Sequence, residues 1–582
     1  MQLLNRRSSV STGWFHLLLL LMWFIIGLSL RLANLTGKPP WIDEFATSVF
    51  SLGNTFLTVP LNQVISSNIL LQPLQLNPTA SIGDVIHTII TQDTHPPLYF
   101  VLAHLWIKLF PHPEGLVSLF AVRSLPAFLG ALSIPLAYIL GKLAFRSQLV
   151  GHLAAAMMAV SPYGIFIAQE ARHYTLAILW VIASLICLII AIRHLQNHTQ
   201  LPLSVATSWL VINALGIATH YFFTLTLCAE AFVLILFAWY HHTQPQIKNN
   251  FPHIPIFSSP PWWRIYAVVL GTGIAGLVWL PSFLQNPYRS SLTDWIQGSR
   301  VGLDWISPIF QLFAALITMI SLLPIEAPQL TIIILSGLGM LIFFIWVTPL
   351  LVRGLQLQLQ QPGNSLMILV FTGIVGSAIA LFLIFTYILG IDLTRGARYN
   401  FVYFPAIIIL LGASLAVCYQ NQNIHRWGIS GKKAVILILF MGLISSITVT
   451  SNLGYRKYYR PDLLVPLIEQ NSQFPILIAT THKSLIQTGE MMGIAWELKF
   501  SHAKINPQFL LAHQKQDPNT STKTLENTLK TIPQTFDLWL INFHAPLAEE
   551  VKKCITNTQN LPAIYGYDYK IYHCHNNRQT SP

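Results

Sequence analysis

Five polar clusters interrupt an otherwise apolar chain. The first is "WIDE", with Asp43 and Glu44 side by side, and the second is "THPPLY", with His95. The third, "SPYGIFIAQEARHY", carries Glu170, Arg172, His173 and Tyr174. The fourth is His220-Tyr221, and the fifth is "DLTRGARY", with Arg395, Arg398 and Tyr399. Carboxylates can take a proton from an attacking hydroxyl, and guanidinium forks match the oxygens of a phosphate. Charged residues make up only 9% of the chain, so each of these groups is conspicuous. Polar groups at membrane depth are costly and more often functional than those on a soluble surface.

Each cluster also has a plainer reading. Asp43 and Glu44 suit the first turn of a helix, where acidic groups favour the dipole. Arg172, Arg395 and Arg398 suit anchoring at lipid headgroups. Glu170 and Arg172 suit a buried ion pair. His95 and His220 suit satisfied polar histidines. With Glu170 or Glu44 they are also a donor set for a divalent metal such as zinc or manganese, although no spacing rule supports one.

The elements that position these residues are membrane spans. The chain has 582 residues, 53% of them hydrophobic, which excludes an ordinary soluble protein. Apolar runs of about 20 residues recur along it. The first runs from Trp14 to Leu32. Others lie near 118–142, 149–167, 174–193, 204–221, 222–240, 264–284, 329–351, 365–389, 399–418 and 434–452. The expected fold is a mainly α, polytopic helical membrane protein of about eleven transmembrane helices, up to thirteen. The stretch 306–324 is long enough to span but would invert every later loop. It is read as a re-entrant or surface helix.

Between the first two spans lies a long loop expected to carry juxtamembrane helices. "SIGDVIHTIITQD" has an apolar stripe and a capping-box spacing between Ser81 and Asp84. "HPPLYFVLAHLWIKLF" places its prolines where a helix start tolerates them. Both helices are expected along the membrane surface. From about Tyr455 the composition turns polar. "FPILIAT", "TFDLWLINF" and "YKIYH" read as strands and "KTLENTLKTI" as a helix. This gives two expected domains, a membrane domain over 1–454 and a small α/β domain over 455–582.

The formal net charge is +12. It is spread over loops, with no basic stripe of the nucleic-acid type, so the expected surroundings are membrane lipids. Lys142, Arg146, Lys248, Arg426, Lys432 and Lys433 fall on one side as the cytoplasmic excess of lysine and arginine requires. Arg6 and Arg7 then hold the N-terminus in the cytoplasm, and no small-residue cleavage pattern follows the first span. Span parity puts the α/β domain outside the cytoplasm of an inner (plasma) membrane. There Cys554 and Cys574 can form a disulfide, and the five polar clusters fall on the same outer side.

The runs "WIDE", "HPPLYF", "RSLP" at Arg123–Pro126, "QEARHY" and a late "RY" occur in an order that resembles the GT-C glycosyltransferases. The branch they look like contains the dolichyl-phosphate-mannose–protein mannosyltransferases and the bacterial aminoarabinose lipid A transferases. The resemblance covers most of residues 14 to 418. It implies transfer of a hexose or pentose from a polyprenyl-phosphate donor to a hydroxyl of a lipid, glycan or protein acceptor. It also implies Asp43 as catalytic base, with Glu44 orienting it and Glu170 near the donor sugar. Arg398, Arg395 and Arg172 are then a phosphate clamp, with His95 and His220 beside the substrate and Tyr174 and Tyr399 stacking on sugar. One carboxylate acting as base, with no second as nucleophile, suits direct displacement with inversion. The aminoarabinose branch carries a lysine where this chain has His95. A transporter or flippase of lipid-linked sugars is the alternative, but transporters often show paired repeats and none is evident.

Overall fold

The structure, a computed structural model, describes residues 2–111, 115–243, 260–285, 293–297, 302–421, 424–501, 503–517, 519–532, 534–556 and 561–575. Lys248 lies outside them. The chain divides into two compact units. One comprises residues 1–35, 90–99 and 123–455, and the other 36–89, 100–122 and 456–582.

The first unit is a helical membrane bundle. Among the described residues, eight helices are long and apolar enough to cross a bilayer, or nine if a bent pair is one span. Two shorter helices, Leu203–Thr219 and Phe404–Gln420, lie where two further spans are expected. Phe404–Gln420 is apolar on all sides and almost wholly buried, as a helix at the centre of a bundle must be. Gly412 lets it approach the Gln148–Val160 helix, since a Cβ there would stand 2.8 Å from the backbone nitrogen of Ala154. Ser307–Ile320 has only 14 residues, about 21 Å at 1.5 Å per residue. That is short of the roughly 30 Å hydrocarbon core.

The bent pair is Gln148–Val160 followed by Pro162–Ala168, at 56°. Pro162 has no N–H to continue the ladder, so carbonyls at the end of the first helix lose their partners. Arg31, only 1% exposed, supplies them. Its Nη2 donates to the Met158 carbonyl at 2.9 Å and its Nη1 to that of Ala159 at 3.3 Å. Ser446 Oγ donates to the Val160 carbonyl at 2.9 Å. The slot that takes the guanidinium is lined by Gly27, Gly130 and Gly164, where a Cβ would stand 3.0, 3.1 and 3.4 Å from one of its nitrogens. The chain then leaves helical geometry over Gln169–His173 and re-enters it at Tyr174–Gln196.

The second unit is an α/β fold around a six-stranded sheet. Its strands are β1 (Val64–Ser66), β2 (Ile476–His482), β3 (Gln508–His513), β4 (Phe536–Ile541), β5 (Ile555–Thr556) and β6 (Tyr569–Cys574). Their order is β1-β3-β2-β4-β6-β5. β2 runs parallel to β3 and β4, and the other pairings are antiparallel. The helices Leu485–Phe500 and Asn519–Thr531 make the crossovers that parallel pairing demands. β1 comes from the long first loop, pairing Val64 with Leu510. Cys554 and Cys574 form a disulfide. In the Ile82–Gln92 helix, the expected box is present: Asp84 Oδ2 accepts from the Ser81 N–H at 2.8 Å, and Ser81 Oγ accepts from the Asp84 N–H at 3.2 Å.

Candidate functional site

Asp43 and Glu44 belong to the second unit, in the first turn of the helix Ile42–Ser51. This helix lies close against Leu485–Phe500. A Cβ at Gly489 would stand 3.0 Å from the Ile42 side chain, and Phe45 meets Trp496 with ring centres 6.0 Å apart. The two acids have different surroundings. Glu44 is 1% exposed, and Lys457 Nζ reaches its Oε2 at 3.5 Å while lying 5.2 Å from the Trp41 ring centre. Asp43 is half-buried. Nearby, Glu490 accepts from the Tyr459 hydroxyl at 2.8 Å and from Asn542 Nδ2 at 3.1 Å. Burial, with Glu490 and Asp43 adding to it, raises the pKa of Tyr459.

The remaining clusters belong to the first unit, where several of them converge. Asp93 and His95 sit in the loop before the Leu98–Ile107 helix. Arg172 and His173 end the non-helical stretch before Tyr174. His220 makes the extended joint between Leu203–Thr219 and Phe223–Thr243. The ring centres of His95 and His173 are 4.9 Å apart, those of His173 and His220 4.5 Å, and those of His95 and His220 5.9 Å. Tyr174 lies 5.6 Å and Tyr399 6.1 Å from His220 by the same measure. Arg398 stacks over Trp295 at 5.1 Å and Tyr399 at 5.6 Å. Its backbone is held by Tyr163, whose hydroxyl donates to the Arg398 carbonyl at 3.1 Å.

His95 forms the middle of a chain. Its Nδ1 lies 2.8 Å from Asp93 Oδ1, and its Nε2 lies 3.1 Å from Arg172 Nη2. Burial works against ionisation of Asp93. The imidazole of His95, the guanidinium of Arg172 and the Thr94 N–H outweigh it and lower the pKa. For His173 and His220 the direction is set chiefly by burial. Neighbouring histidines and the charges of Arg172 and Arg398 add to it, and both rings are held well below the usual histidine range. A site that keeps imidazoles neutral beside two guanidinium groups is poised for a negatively charged ligand.

Two further sequence candidates lie beside this cluster in the chain, Arg395 three residues from Arg398 and Glu170 two from Arg172. Arg395 is 37% exposed at its side chain, where its Nε lies 3.5 Å from Asp392 and its Nη1 donates to the Trp295 carbonyl at 2.8 Å. It fastens the loop. Glu170 is buried, and its backbone carbonyl accepts from the Arg172 N–H at 2.7 Å. Asp93 and Trp295 lie outside the polar clusters of the sequence, and His173, though within the third, is given no role there. His173 is one polar residue among several in its motif, Asp93 reads as a helix end, and Trp295 is remote in sequence. The useful signal for His173 is its position between Arg172 and Tyr174, both already candidates.

One ring nitrogen from each of His95, His173 and His220 lies within 4.8 Å of the others, so a divalent metal has to be considered. Only His173 offers a lone pair without conflict. His95 Nε2 already accepts from Arg172, and His220 Nδ1 accepts from the Phe222 N–H at 3.0 Å. The residues therefore do not fit a metal in this arrangement.

The fold defines a polytopic helical membrane protein with an appended α/β unit. No family model matches the chain, and no curated protein matches it. Solved structures do resemble it. ArnT from Cupriavidus metallidurans, solved both alone and bound to undecaprenyl phosphate, aligns at 10% identity and a TM-score of 0.48, covering 97% of this chain and 98% of that one. The Archaeoglobus fulgidus oligosaccharyltransferase aligns at 13% identity and 0.40, over 83% of this chain and 63% of that one. The S. cerevisiae protein O-mannosyltransferase complex Pmt1-Pmt2 aligns at 14% identity and 0.33, over 47% and 35%. All three are glycosyltransferases of the GT-C kind that the sequence motifs resemble. At these scores the functional assignment has to come from the chain's own residues.

Proposed function

We propose that this protein is a membrane glycosyltransferase that moves a sugar from a polyprenyl-phosphate donor to an acceptor hydroxyl. The observation that carries this reading is the convergence of Arg172, Arg398 and the neutral histidines His173 and His220, drawn from distant segments of the membrane bundle. Such a group suits a phosphate whose lipid tail lies among the spans. Asp43 is assigned as the base. Glu44 is buried against Lys457, whereas Asp43 keeps part of its surface exposed, where an acceptor can reach it. Glu170 is assigned to the donor sugar, and Tyr174 and Tyr399 to its surroundings.

The reaction is a direct displacement. The acceptor oxygen attacks the anomeric carbon, its proton passes to Asp43, and the phosphate oxygen departs with the bonding pair. Inversion follows from the single step. The disulfide Cys554–Cys574 supports an oxidising compartment, so the α/β unit is assigned to the extracytoplasmic side of the inner membrane and the N-terminus to the cytoplasm. Purified protein given radiolabelled polyprenyl-phosphate sugars and crude acceptor extract tests the reading. Label should leave the lipid fraction, and flipping without transfer would favour a flippase instead.

A further inference from the structure

The hydrogen bonds of the three-histidine centre fix its polarity. Arg172 can only donate, so its contact places a lone pair on His95 Nε2 and leaves Nδ1–H to donate to Asp93. The Phe222 N–H ends on His220 Nδ1, so the neutral ring carries its proton on Nε2. That nitrogen is buried and has no hydrogen-bond partner among the described residues. His173 is 0% exposed, and neither of its ring nitrogens has a partner among them. A neutral His173 therefore holds one further N–H with nothing to receive it. Buried donors of this kind are destabilising when unsatisfied, a burden that a ligand would remove.

A metal would have to displace Arg172 from His95 and remove a proton from His220, with the charges of Arg172 and Arg398 opposing it. An oxyanion has neither obstacle. It accepts from His220 Nε2–H and the His173 N–H and is attracted by both guanidinium groups. We propose that His173 and His220 are neutral N–H donors to the phosphate of the lipid-linked donor, and that the three-histidine centre receives an oxyanion where a metal would otherwise sit. This rests on the reading that the donor carries a phosphate. In transfer the phosphodiester, with one negative charge, leaves as a monoester with two, because the electron pair of the broken bond stays on its oxygen. Donors already in place for that second charge favour the transition state over the ground state.

The test uses full-length protein in nanodiscs and a short-chain polyprenyl phosphate without sugar, with binding followed by titration calorimetry. His173→Leu and His220→Leu should each weaken binding about tenfold or more. His173→Gln, which restores an N–H, should recover most of it. Chelation with EDTA should leave wild-type binding unchanged. Unchanged binding in both Leu variants, at wild-type melting temperature, would overturn the inference. If the Leu variants do not fold, equal loss in His173→Gln and in a folded His173→Ala would also overturn it. So would one equivalent of divalent metal in the purified protein whose removal abolishes binding. If the lipid phosphate binds as expected but no donor sugar is ever transferred, the inference stands and the glycosyltransferase reading fails.

Discussion

Arg172 Nη2 lies 3.1 Å from His95 Nε2, so a guanidinium occupies the lone pair that a metal would need. The same contact gives Arg172 a fixed direction beside His173 and His220. Arg172→Ala should therefore reduce sugar transfer by about tenfold to a hundredfold, the usual range for lost hydrogen bonds to a charged group. Arg172→Lys should recover only part, because an ammonium has no planar fork. Arg172→Ala should also gain affinity for zinc, measurable by titration, as the His95 lone pair is released.

Arg31 holds the bent pair together. It donates to Gly27, Met158 and Ala159 carbonyls from a fully buried position. Arg31→Met should lower stability by about 2 kcal/mol or more, since carbonyls are left without partners. The readout is the thermal midpoint in detergent. Arg31→Lys should be intermediate, as one ammonium cannot reach every carbonyl that the guanidinium serves.

Much of this architecture is legible in the sequence, and the reasons are physical. Spans announce themselves by length and hydropathy, and the capping box at Ser81 and Asp84 is a local pattern that a helix start realises directly. The strands from "FPILIAT", "TFDLWLINF" and "YKIYH" are evident from their apolar runs. β1 is not, because three residues of a loop become a strand only through pairing with Leu510 and its neighbours. β3, in "PQFLLAH", is hidden between polar segments. The histidine cluster shows the same limit. His95 and His220 are recognisable as unusual, but their union with His173 depends on helix packing across more than a hundred residues. Arg395 looks equivalent to Arg398 in sequence, but in the fold Arg395 meets Asp392 and the Trp295 carbonyl whereas Arg398 stacks on Trp295 and Tyr399.

The neutral histidines predict a pH dependence. His173 and His220 are held below their ordinary pKa by burial first, and His482 is pushed down to about 4 by burial and by His513. Below roughly pH 6.5 the unfolded chain takes up protons that the folded one refuses. Stability therefore rises with pH through this window and levels off above it. Thermal midpoints measured from pH 5 to 8 should show that slope, and His173→Gln should flatten it in part.

Cys554 and Cys574 are 20 residues apart. Closing a loop of that size stabilises a fold by about 3 kcal/mol in the chain-entropy account. Replacing both with serine should lower the denaturant midpoint of the α/β unit while leaving the membrane bundle's transition in place. A reductant should reproduce the shift in the wild type and have no effect on the double variant.

The most direct measurement concerns Asp43. Full-length protein is supplied with a radiolabelled polyprenyl-phosphate sugar and its acceptor extract, and initial rates are compared between wild type and Asp43→Asn. Asp43→Asn should lose at least about a hundredfold, the range for removing a general base, with an unchanged melting temperature and unchanged binding of the lipid phosphate. Transfer at the wild-type rate by a folded Asp43→Asn protein would contradict Asp43 as the base.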